Sequence, residues 1–185
     1  MANLFFISDT HFGHENILTF KGSEGELIRP FSSAEEMDEL MVQRWNETVR
    51  EGDHVYHLGD VTMDRKFLPI LARLNGRLRL VRGNHDIFRT KFYLQYFDEV
   101  YGVRVLDNYI FSHIPLHPQS MGRFAGNVHG HLHNNPSPEP VMRLDKVSQK
   151  VTWAPYISVC VEQTLYRPLS FEEVKQKGRD LTTGL

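Results

Sequence analysis

Short apolar runs alternate with polar turns along most of the chain. The run "NLFFIS" (3–8) predicts a buried first strand, and further strands are predicted in "HVYHLGD" (54–60) and "GRLRLVRGNHD" (76–86). In the third run arginines alternate with leucines, which is typical of a strand with one exposed face. Each of these three strands leads directly into a cluster of polar residues.

Helical spacing is clearest after residue 33. Apolar residues recur there at intervals of three and four: Met37, Leu40, Met41, Trp45 and Val49. Ser33 followed by Glu36 is a capping-box pattern, so the helix is predicted to begin at this point. Shorter helices are predicted in "FLPILARLN" (67–75) and "IFRTKFYLQYF" (87–97), and Ser170 is predicted to cap a last helix, "FEEVKQKG".

Strand patterns dominate the second half of the chain. Two or three strands are predicted in 99–116, with turns at Gly102 and at Asp107-Asn108, and β character resumes in 151–162 after a loop punctuated by prolines. Strands that alternate with helices and then dominate predict a layered α/β domain. No linker is long enough to separate two units, so we expect a single domain over residues 1–185.

Composition narrows the class of protein. The 185 residues are 41% hydrophobic and 24% charged, which is ordinary for a globular protein. The net charge of -2 gives no general attraction to nucleic acid or to an anionic membrane. No run has the length of a membrane span and the first residues do not form a secretory signal.

The single cysteine, Cys160, lies in an apolar run and predicts a buried structural thiol in a reducing compartment, so we expect a cytoplasmic location. The oligomeric state is left open.

Five polar clusters follow strand-like runs: "SDTH", "LGD", "RGNHD", "FSHIP" and "HGHLH". Each is weak by itself, because short polar turns are common. In open α/β sheets, however, binding sites form beyond the carboxyl ends of strands. His131 and His133 are two positions apart. In an extended segment, their side chains would point the same way and could bind one metal ion or two neighbouring metal ions. The five clusters together predict one site.

In this order, the clusters resemble the blocks of the calcineurin-like metallophosphoesterases, which run D-x-H, G-D, G-N-H-[DE], an isolated H and G-H-x-H. The resemblance extends from Asp9 to His133. It implies a sandwich of two mixed β-sheets flanked by helices, in α/β/β/α layers. It also implies a metal-dependent hydrolase that acts on phosphoester bonds.

The same resemblance implies two divalent metal ions. One would be held by Asp9, His11, Asp60 and His133, and the other by Asp60, Asn84, His113 and His131. Asp60 would bridge the two ions. Carboxylates, imidazoles and an amide suit Mn²⁺ best, with Fe, Zn²⁺, Ni²⁺ or Co²⁺ as alternatives, and the lack of a thiolate ligand argues against a structural zinc site. Two ions roughly 3.5–4 Å apart would activate a hydroxide and stabilise the phosphoryl oxygens.

His85 matches the family histidine that is not a metal ligand and that donates a proton to the leaving oxygen. A general acid must titrate near neutral pH, as histidine does. In the phosphoprotein phosphatase branch of the family, a carboxylate three residues after the "GD" aspartate orients this histidine. Met63 occupies that place here and Asp64 follows one residue late. We assign the orienting role to Asp86. The alternatives are Asp64, or an active site that needs no orienting carboxylate.

Three residues are predicted to bind substrate: Arg123, His14 and Asn84. Arg123 lies in a glycine-containing loop before "HGHLH" and is favoured over Arg82 as a phosphate contact. The favoured substrate is a small phosphodiester or a nucleotide. A phosphomonoester, including a phosphoprotein, is the alternative. A nuclease is less favoured because the chain is mildly acidic and lacks a basic stripe with interleaved aromatics. A non-catalytic scaffold is disfavoured because the ligand set and His85 are complete.

The remaining histidines are assigned structural or peripheral roles. His54 and His57 flank a strand, His129 is expected to support the ligands without binding metal, and His117 is expected near the rim of the site.

Overall fold

The computed structural model describes residues 2–144 and 150–185. In chain order, its strands are β1 (Leu4–Ile7), β2 (His54–His57), β3 (Arg77–Val81), β4 (Glu99–Tyr101), β5 (Arg104–Leu106), β6 (Tyr109–Phe111), β7 (Gly126–His129), β8 (Val141–Leu144), β9 (Val151–Ala154), β10 (Tyr156–Ser158) and β11 (Leu169–Ser170). The α-helices are α1 (Ala34–Thr48), α2 (Thr90–Tyr93) and α3 (Phe171–Thr182), and 3₁₀ helices span Glu15–Thr19, Arg65–Arg73, Pro118–Met121 and Val161–Gln163.

Two mixed sheets form the centre of the fold. The first has the order β11-β1-β2-β3-β4, in which β1 to β4 are parallel and β11 is antiparallel. The second has the order β10-β7-β6-β5, with only β5 antiparallel, and β8 and β9 form a separate hairpin. Helices flank the sheets, so the predicted fold class is confirmed. The single domain over 1–185 stays a prediction.

The apolar strand β1 is buried on both faces, because its alternate side chains enter two different cores. Phe5 and Ile7 belong to the core between the first sheet and α1, whereas Phe6 belongs to the core between the two sheets. There the Phe6 ring stacks on Phe111 of β6, with the centroids 4.5 Å apart. Burial of this kind on both faces explains why β1 reads as a continuous apolar run.

Helix α1 begins where its capping residues predict. Ser33 Oγ accepts a hydrogen bond from Glu36 N at 3.1 Å, and the Glu36 carboxylate accepts one from Ser32 N at 2.8 Å. The reciprocal bond of the capping box is therefore displaced by one residue. Met37, Met41 and Trp45 are buried against the first sheet. At the other end of the chain, Ser170 and Glu173 form a complete capping box for α3.

The helix predicted over 87–97 is wrong in its extent, because α2 covers only Thr90–Tyr93. Asp98 N already donates to Leu78 O at 2.8 Å, which starts the pairing of β4 with β3, so the chain has to leave the helix before that point. The helix predicted over 67–75 is a 3₁₀ helix, Arg65–Arg73, which contains Pro69. Among the described residues, no helix combines the length and apolar character needed to cross a membrane.

The two sheets join at the carboxyl ends of their strands. Ser8 N donates to Val159 O at 3.0 Å and Val161 N donates to Ser8 O at 3.2 Å, which extends β1 alongside the end of β10. Val159 N in turn donates to His129 O at 2.9 Å, at the end of β7. The loops that leave β1, β2, β3, β6 and β7 consequently converge on one edge of the sandwich.

Candidate metal centre

Five of the seven predicted metal ligands have an unusual backbone conformation. Positive φ angles occur at Asp9 (58°), His11 (47°), Asp60 (58°), His131 (72°) and His133 (52°). Residues other than glycine adopt this left-handed region at a cost in free energy, and such strain is concentrated at functional sites. Immediately after its strand, each loop turns sharply, and the turn presents the side chain at the shared edge of the sheets.

Asp9, His11 and His133 form the first of two groups whose donor atoms lie close enough to hold a metal ion. The Nε2 atoms of His11 and His133 each lie 4.0 Å from Asp9 Oδ1. Asp9 and His11 are buried, yet Asp9 Oδ1 and His11 Nε2 have no hydrogen-bond partner among the described residues. Buried polar atoms normally have partners. Their convergence fits a cation bound between them.

Asp60, His113 and His131 form the second group. The Nε2 atom of His113 lies 3.2 Å from Asp60 Oδ2 and 2.9 Å from Asn84 Oδ1. His113 Nδ1 lies 2.7 Å from Leu58 O, so this nitrogen carries a proton and donates it. In a neutral ring, the lone pair of Nε2 would then face two oxygens. A proton or a metal ion removes that repulsion, and the chemistry of the three donors fits a divalent transition metal.

One carboxylate oxygen faces both groups. Asp60 Oδ2 lies 3.7 Å from His11 Nε2 of the first group and 3.2 Å from His113 Nε2 of the second. Burial would raise the pKa of Asp60, but the hydrogen bond and charge of His113 and the amide of His85 outweigh it and lower the pKa to about 2. Asp60 is therefore ionised throughout the neutral range and provides negative charge at the centre of the site.

Two glycines allow the loops to approach these carboxylates. A Cβ atom at Gly83 would overlap the Asp60 carboxylate, and one at Gly130 would overlap Asp9 Oδ2 and the Ser8 side chain. The glycines in "RGNHD" and "HGHLH" are therefore required because a side chain would clash with a carboxylate, whatever the backbone dihedral angle.

The only cysteine lies next to the first group. Cys160 is fully buried, as predicted, and its Sγ donates to Asp9 Oδ2 at 3.3 Å. Burial and the nearby Asp9 charge raise the pKa of the Cys160 thiol well above its ordinary value. The thiol is therefore protonated and acts as a hydrogen-bond donor to Asp9, not as a thiolate ligand. The sequence pattern predicted its burial but not this contact.

Behind His133 lies a buried ion pair that the sequence analysis missed. Glu162 Oε1 lies 2.9 Å from His133 Nδ1 and 2.7 Å from Arg29 Nη2. Arg29, which is completely buried, also donates to the carbonyl oxygens of Asp9 and Thr10. A carboxylate on Nδ1 fixes the ring of a histidine so that Nε2 points at the metal. Neither Arg29 nor Glu162 lies in a recognisable local motif, so only the fold reveals them.

The charges of this pair are mutually stabilised. Burial would raise the pKa of Glu162, but Arg29 and His133 outweigh it, so the pKa of Glu162 is lowered. Burial would lower the pKa of His133, but the hydrogen bond and charge of Glu162 outweigh it, so that pKa is raised. Glu162 is therefore ionised, and it holds His133 against the first group.

The role predicted for Asp86 has to be corrected. Its carboxylate is buried and accepts hydrogen bonds from the backbone amides of Asp60 (2.8 Å), Val61 (3.1 Å) and Gly83 (2.8 Å). Asp86 thus ties the loop after β2 to the loop after β3 and makes no described hydrogen bond to His85. The alternative, Asp64, accepts from Lys66 N at 3.0 Å and caps the 3₁₀ helix Arg65–Arg73.

His85 lies at the open side of the first group. Its ring is exposed and lies 5.7 Å from the His11 ring, centroid to centroid. Its backbone N donates to Asp60 Oδ1 at 2.8 Å. The loop is thereby anchored on the central carboxylate, while the imidazole remains accessible to a ligand.

The predicted substrate residues differ in position. Asn84 lies against His113, and the His14 ring lies 5.8 Å from the His11 ring. Arg123 precedes the amino end of β7, whereas the candidate ligands follow the carboxyl ends of the strands, and its guanidinium lies over the Phe124 ring at 5.2 Å. The structure therefore does not place Arg123 with the other site residues, because the loop that carries it joins the opposite end of the sheet.

The remaining histidines lie outside both groups. His57 Nε2 contacts Thr10 Oγ1 at 2.9 Å, and burial lowers the pKa of His57 to about 3. His129 Nε2 contacts Ser137 Oγ at 3.0 Å. His54 Nδ1 contacts Arg79, and His117 caps a 3₁₀ helix.

Cavities flank the two groups on either side. One of about 550 Å³ is bordered by His133, Asn134, Phe20 and Lys21. Another, of about 340 Å³, is bordered by residues around Asn84 and His113. A ligand at the two groups would therefore have room to extend in two directions.

Comparison with known proteins places this chain in a family. Residues 2–166 match the sequence profile of the calcineurin-like phosphoesterases. An uncharacterized protein of Methanocaldococcus jannaschii is 32% identical over 195 residues, which cover 99% of this chain and 97% of that protein. The gene 66 protein of Mycobacterium phage L5 is 30% identical over 91 residues, or 46% of this chain and 41% of that protein.

A solved structure has the same overall shape. The crystal structure of a protein of unknown function from Aquifex aeolicus superimposes with a TM-score of 0.72 at 26% identity, and the match covers 95% of this chain and 99% of that one. The chain therefore belongs to the calcineurin-like phosphoesterase family, a family of phosphoester hydrolases whose members generally bind two divalent metals.

A buried carboxylate beside the site gives a prediction for stability. Burial raises the pKa of Asp38 from 3.8 to about 7, although Gly13 N donates to its carboxylate at 2.9 Å. The folded protein therefore binds this proton more tightly than the unfolded chain does, so stability is lost as pH rises from about 4 through 7. In metal-stripped wild type, the free energy of unfolding should therefore fall between pH 5 and pH 8. In Asp38→Asn we expect this fall to be smaller by on the order of 2 kcal/mol.

The measurement is urea unfolding of Asp38→Asn and wild type at both pH values. Asp180→Asn, a change at an exposed position of α3, is the control and should follow the wild-type pH dependence. Parallel curves for Asp38→Asn and wild type would show that Asp38 has an ordinary pKa in the folded protein.

Proposed function

We propose that this protein is a dinuclear metal-dependent phosphodiesterase that acts on small molecules or nucleotides. The observation that carries the proposal is the position of Asp60 Oδ2, which lies 3.7 Å from His11 Nε2 and 3.2 Å from His113 Nε2. A carboxylate that faces two groups of nitrogen and oxygen donors is the arrangement that a pair of bridged cations requires.

The residues that would hold the cations are those of the two groups together with Asn84. Imidazole, carboxylate and amide donors favour Mn²⁺, with Fe, Zn²⁺, Ni²⁺ or Co²⁺ as alternatives. When bound, the ions would make water a stronger nucleophile and neutralise charge on the phosphoryl oxygens. The chain itself contributes the alignment of its ligands, through Glu162 on His133 and through Leu58 O on His113.

His85 would serve as the proton donor. In the reaction, water supplies the oxygen of the new bond to phosphorus, and the bond from phosphorus to the leaving oxygen breaks. The leaving oxygen takes the proton from His85, and His85 regains one from the water that was consumed. An exposed imidazole on an anchored loop can both donate and accept a proton.

Two further expectations accompany this function. A diester keeps one substituent on phosphorus after the leaving group has departed, and the cavities beside His133 and beside Asn84 offer space for it. We also propose that residues 1–185 act as one domain, and that the enzyme works in the cytoplasm, where the single buried cysteine would remain reduced.

The test of this proposal is hydrolysis of bis(p-nitrophenyl) phosphate by metal-stripped protein, with and without added Mn²⁺. We expect turnover only after metal is restored, and elemental analysis should give two ions per chain. Absence of turnover with every divalent ion, despite the binding of two ions, would exclude the phosphodiesterase.

A His85→Ala variant tests the proton donor. Loss of a general acid should reduce kcat by about 10²- to 10⁴-fold for a diester with an alcohol leaving group. The loss should be much smaller for a p-nitrophenyl ester, because p-nitrophenolate leaves without protonation. The control is His117→Ala, an exposed histidine outside the site, which should leave both rates unchanged. Equal losses on both substrates would assign His85 a role other than proton donation.

A further inference from the structure

A broad cavity of about 700 Å³ lies beside the loop that carries His85. Its walls come from the segments that follow β2 and β3. The name basic-aromatic surface is used below for six of the lining residues: Arg65, Lys66, Ile87, Phe88, Arg89 and Phe92. Ile87 is two residues from His85, and Ile87 N donates to His85 O at 2.8 Å. The surface therefore begins directly at the loop that carries the proposed proton donor.

The charge of this surface is locally positive. Three cations line the cavity, and the single carboxylate among the lining residues, Asp64, pairs with Lys66 at 3.3 Å. Within residues 2–144 and 150–185, no ion pair engages Arg65 or Arg89. The whole chain carries a net charge of -2, so the positive patch does not follow from general composition. Anionic groups would be attracted to this side of the site.

Apolar side chains lie among the cations. Ile87 is 76% exposed, which is uncommon for isoleucine. The Arg65 guanidinium lies 4.4 Å from the centroid of the Phe92 ring, and this contact joins the two segments of the surface. Lys91 Nζ lies 5.3 Å from the centroid of the same ring. Aromatic and apolar side chains interleaved with cations are the combination that binds nucleobases and phosphates together.

We propose that the basic-aromatic surface binds the leaving nucleotide of the substrate, with a further phosphate of that nucleotide at Arg65 and Arg89 and its base against Ile87 and Phe88. This inference rests on the proposed function, because it takes the His85 side of the site as the leaving-group side. The substrate class is then a phosphodiester between nucleosides that carries a second phosphate. Its source is either a free dinucleotide or a single-stranded nucleic acid.

The sequence analysis found no strong nucleic-acid signal because the chain is mildly acidic overall and lacks a long basic stripe. The structure forms the surface from two segments, around residues 65–66 and 87–92, which pack together only in the folded chain.

The first experiment compares substrates with the metal-restored enzyme. Three thymidine dinucleotides are compared: one without a terminal phosphate, one with a 5′ phosphate and one with a 3′ phosphate. A twelve-nucleotide oligothymidylate represents single-stranded nucleic acid. We expect kcat/KM for one of the two phosphorylated dinucleotides to exceed that of the unphosphorylated one by about tenfold. A much higher kcat/KM for the oligothymidylate than for the phosphorylated dinucleotide would identify a single-stranded nucleic acid as the substrate. Similar values of kcat/KM would identify the free dinucleotide.

The second experiment uses Arg65→Gln/Arg89→Gln. The ratio of kcat/KM with and without the terminal phosphate should fall to about one, because both contacts are lost. The matched control is Arg77→Gln/Arg179→Gln, which removes two cations at positions away from the site and should keep the wild-type ratio. Thermal unfolding checks that both double variants are folded.

A binding measurement keeps the test independent of turnover. Fluorescence anisotropy with labelled oligothymidylate and metal-stripped protein should show a dissociation constant about tenfold weaker for Arg65→Gln/Arg89→Gln, with a shallower dependence on salt. No preference for the terminal phosphate, or an equal preference in wild type and Arg65→Gln/Arg89→Gln, would overturn the inference. If no diester is hydrolysed although two metals bind, the proposed function fails, and anisotropy still decides whether the surface binds nucleotide phosphates.

Discussion

Asp60→Asn is expected to lower kcat/KM for diester hydrolysis by at least about a thousandfold, since several kcal/mol of transition-state stabilisation depend on two cations acting together. Asparagine has nearly the same shape as aspartate and can still accept the hydrogen bond from His85 N that Asp60 Oδ1 now accepts at 2.8 Å. The substitution therefore removes the charge that faces both groups while keeping the loop in place.

Metal content provides the second measurement for this variant. Elemental analysis should give fewer than two ions per chain for Asp60→Asn. The control is Asp180→Asn, the same chemical change at an exposed position of α3, and it should retain both ions and the wild-type rate. Two bound ions with a normal rate in Asp60→Asn would contradict the bridging role.

Arg29→Met is expected to lower the free energy of unfolding by about 3–5 kcal/mol, because it leaves the buried Glu162 carboxylate without its cation. Arg29 is completely buried, and its guanidinium also satisfies the carbonyl oxygens of Asp9 and Thr10. Chemical denaturation of metal-stripped protein measures the change. We also expect weaker metal binding, since Glu162 holds His133 in position.

The control for Arg29→Met is Arg73→Met. Arg73 pairs with Glu39 at 2.6 Å, but both side chains are about half exposed. An exposed pair contributes only about 0–1 kcal/mol, so this variant should be close to wild type. The double variant Arg29→Met/Glu162→Gln should recover part of the lost stability, because it removes both charges. A loss of less than about 1 kcal/mol in Arg29→Met would show that the pair does not stabilise the fold.

Much of the candidate centre was predictable because its signals are local. The metal groups Asp9-His11-His133 and Asp60-His113-His131 contain only residues predicted as ligands, and the structure brings Asn84 to His113. Each of these residues follows an apolar run within a few positions. Strand ends at a common sheet edge converge, so local patterns were enough to predict which side chains meet.

Errors arose where a side chain had several possible partners. Asp86 was adjacent to His85 in sequence, but in the fold its carboxylate meets the backbone amides of Asp60 and Val61, about 25 residues away along the chain. Arg123 was close to "HGHLH" in sequence but lies at the other end of β7. In both cases the direction in which the loop leaves its strand decided the outcome, and a single sequence does not specify that direction.

By itself, the sequence determined the alternation of strands and helices, the capped ends of α1 and α3, the burial of Cys160, and the five polar blocks at strand ends. These features depend on neighbours a few residues apart, where hydrogen bonding and side-chain periodicity act directly. Only the tertiary structure decided the short α2, the Arg29–Glu162 pair behind His133, and the basic-aromatic surface beside His85. Each of these depends on contacts between distant segments, whose free energy exists only once the chain is folded.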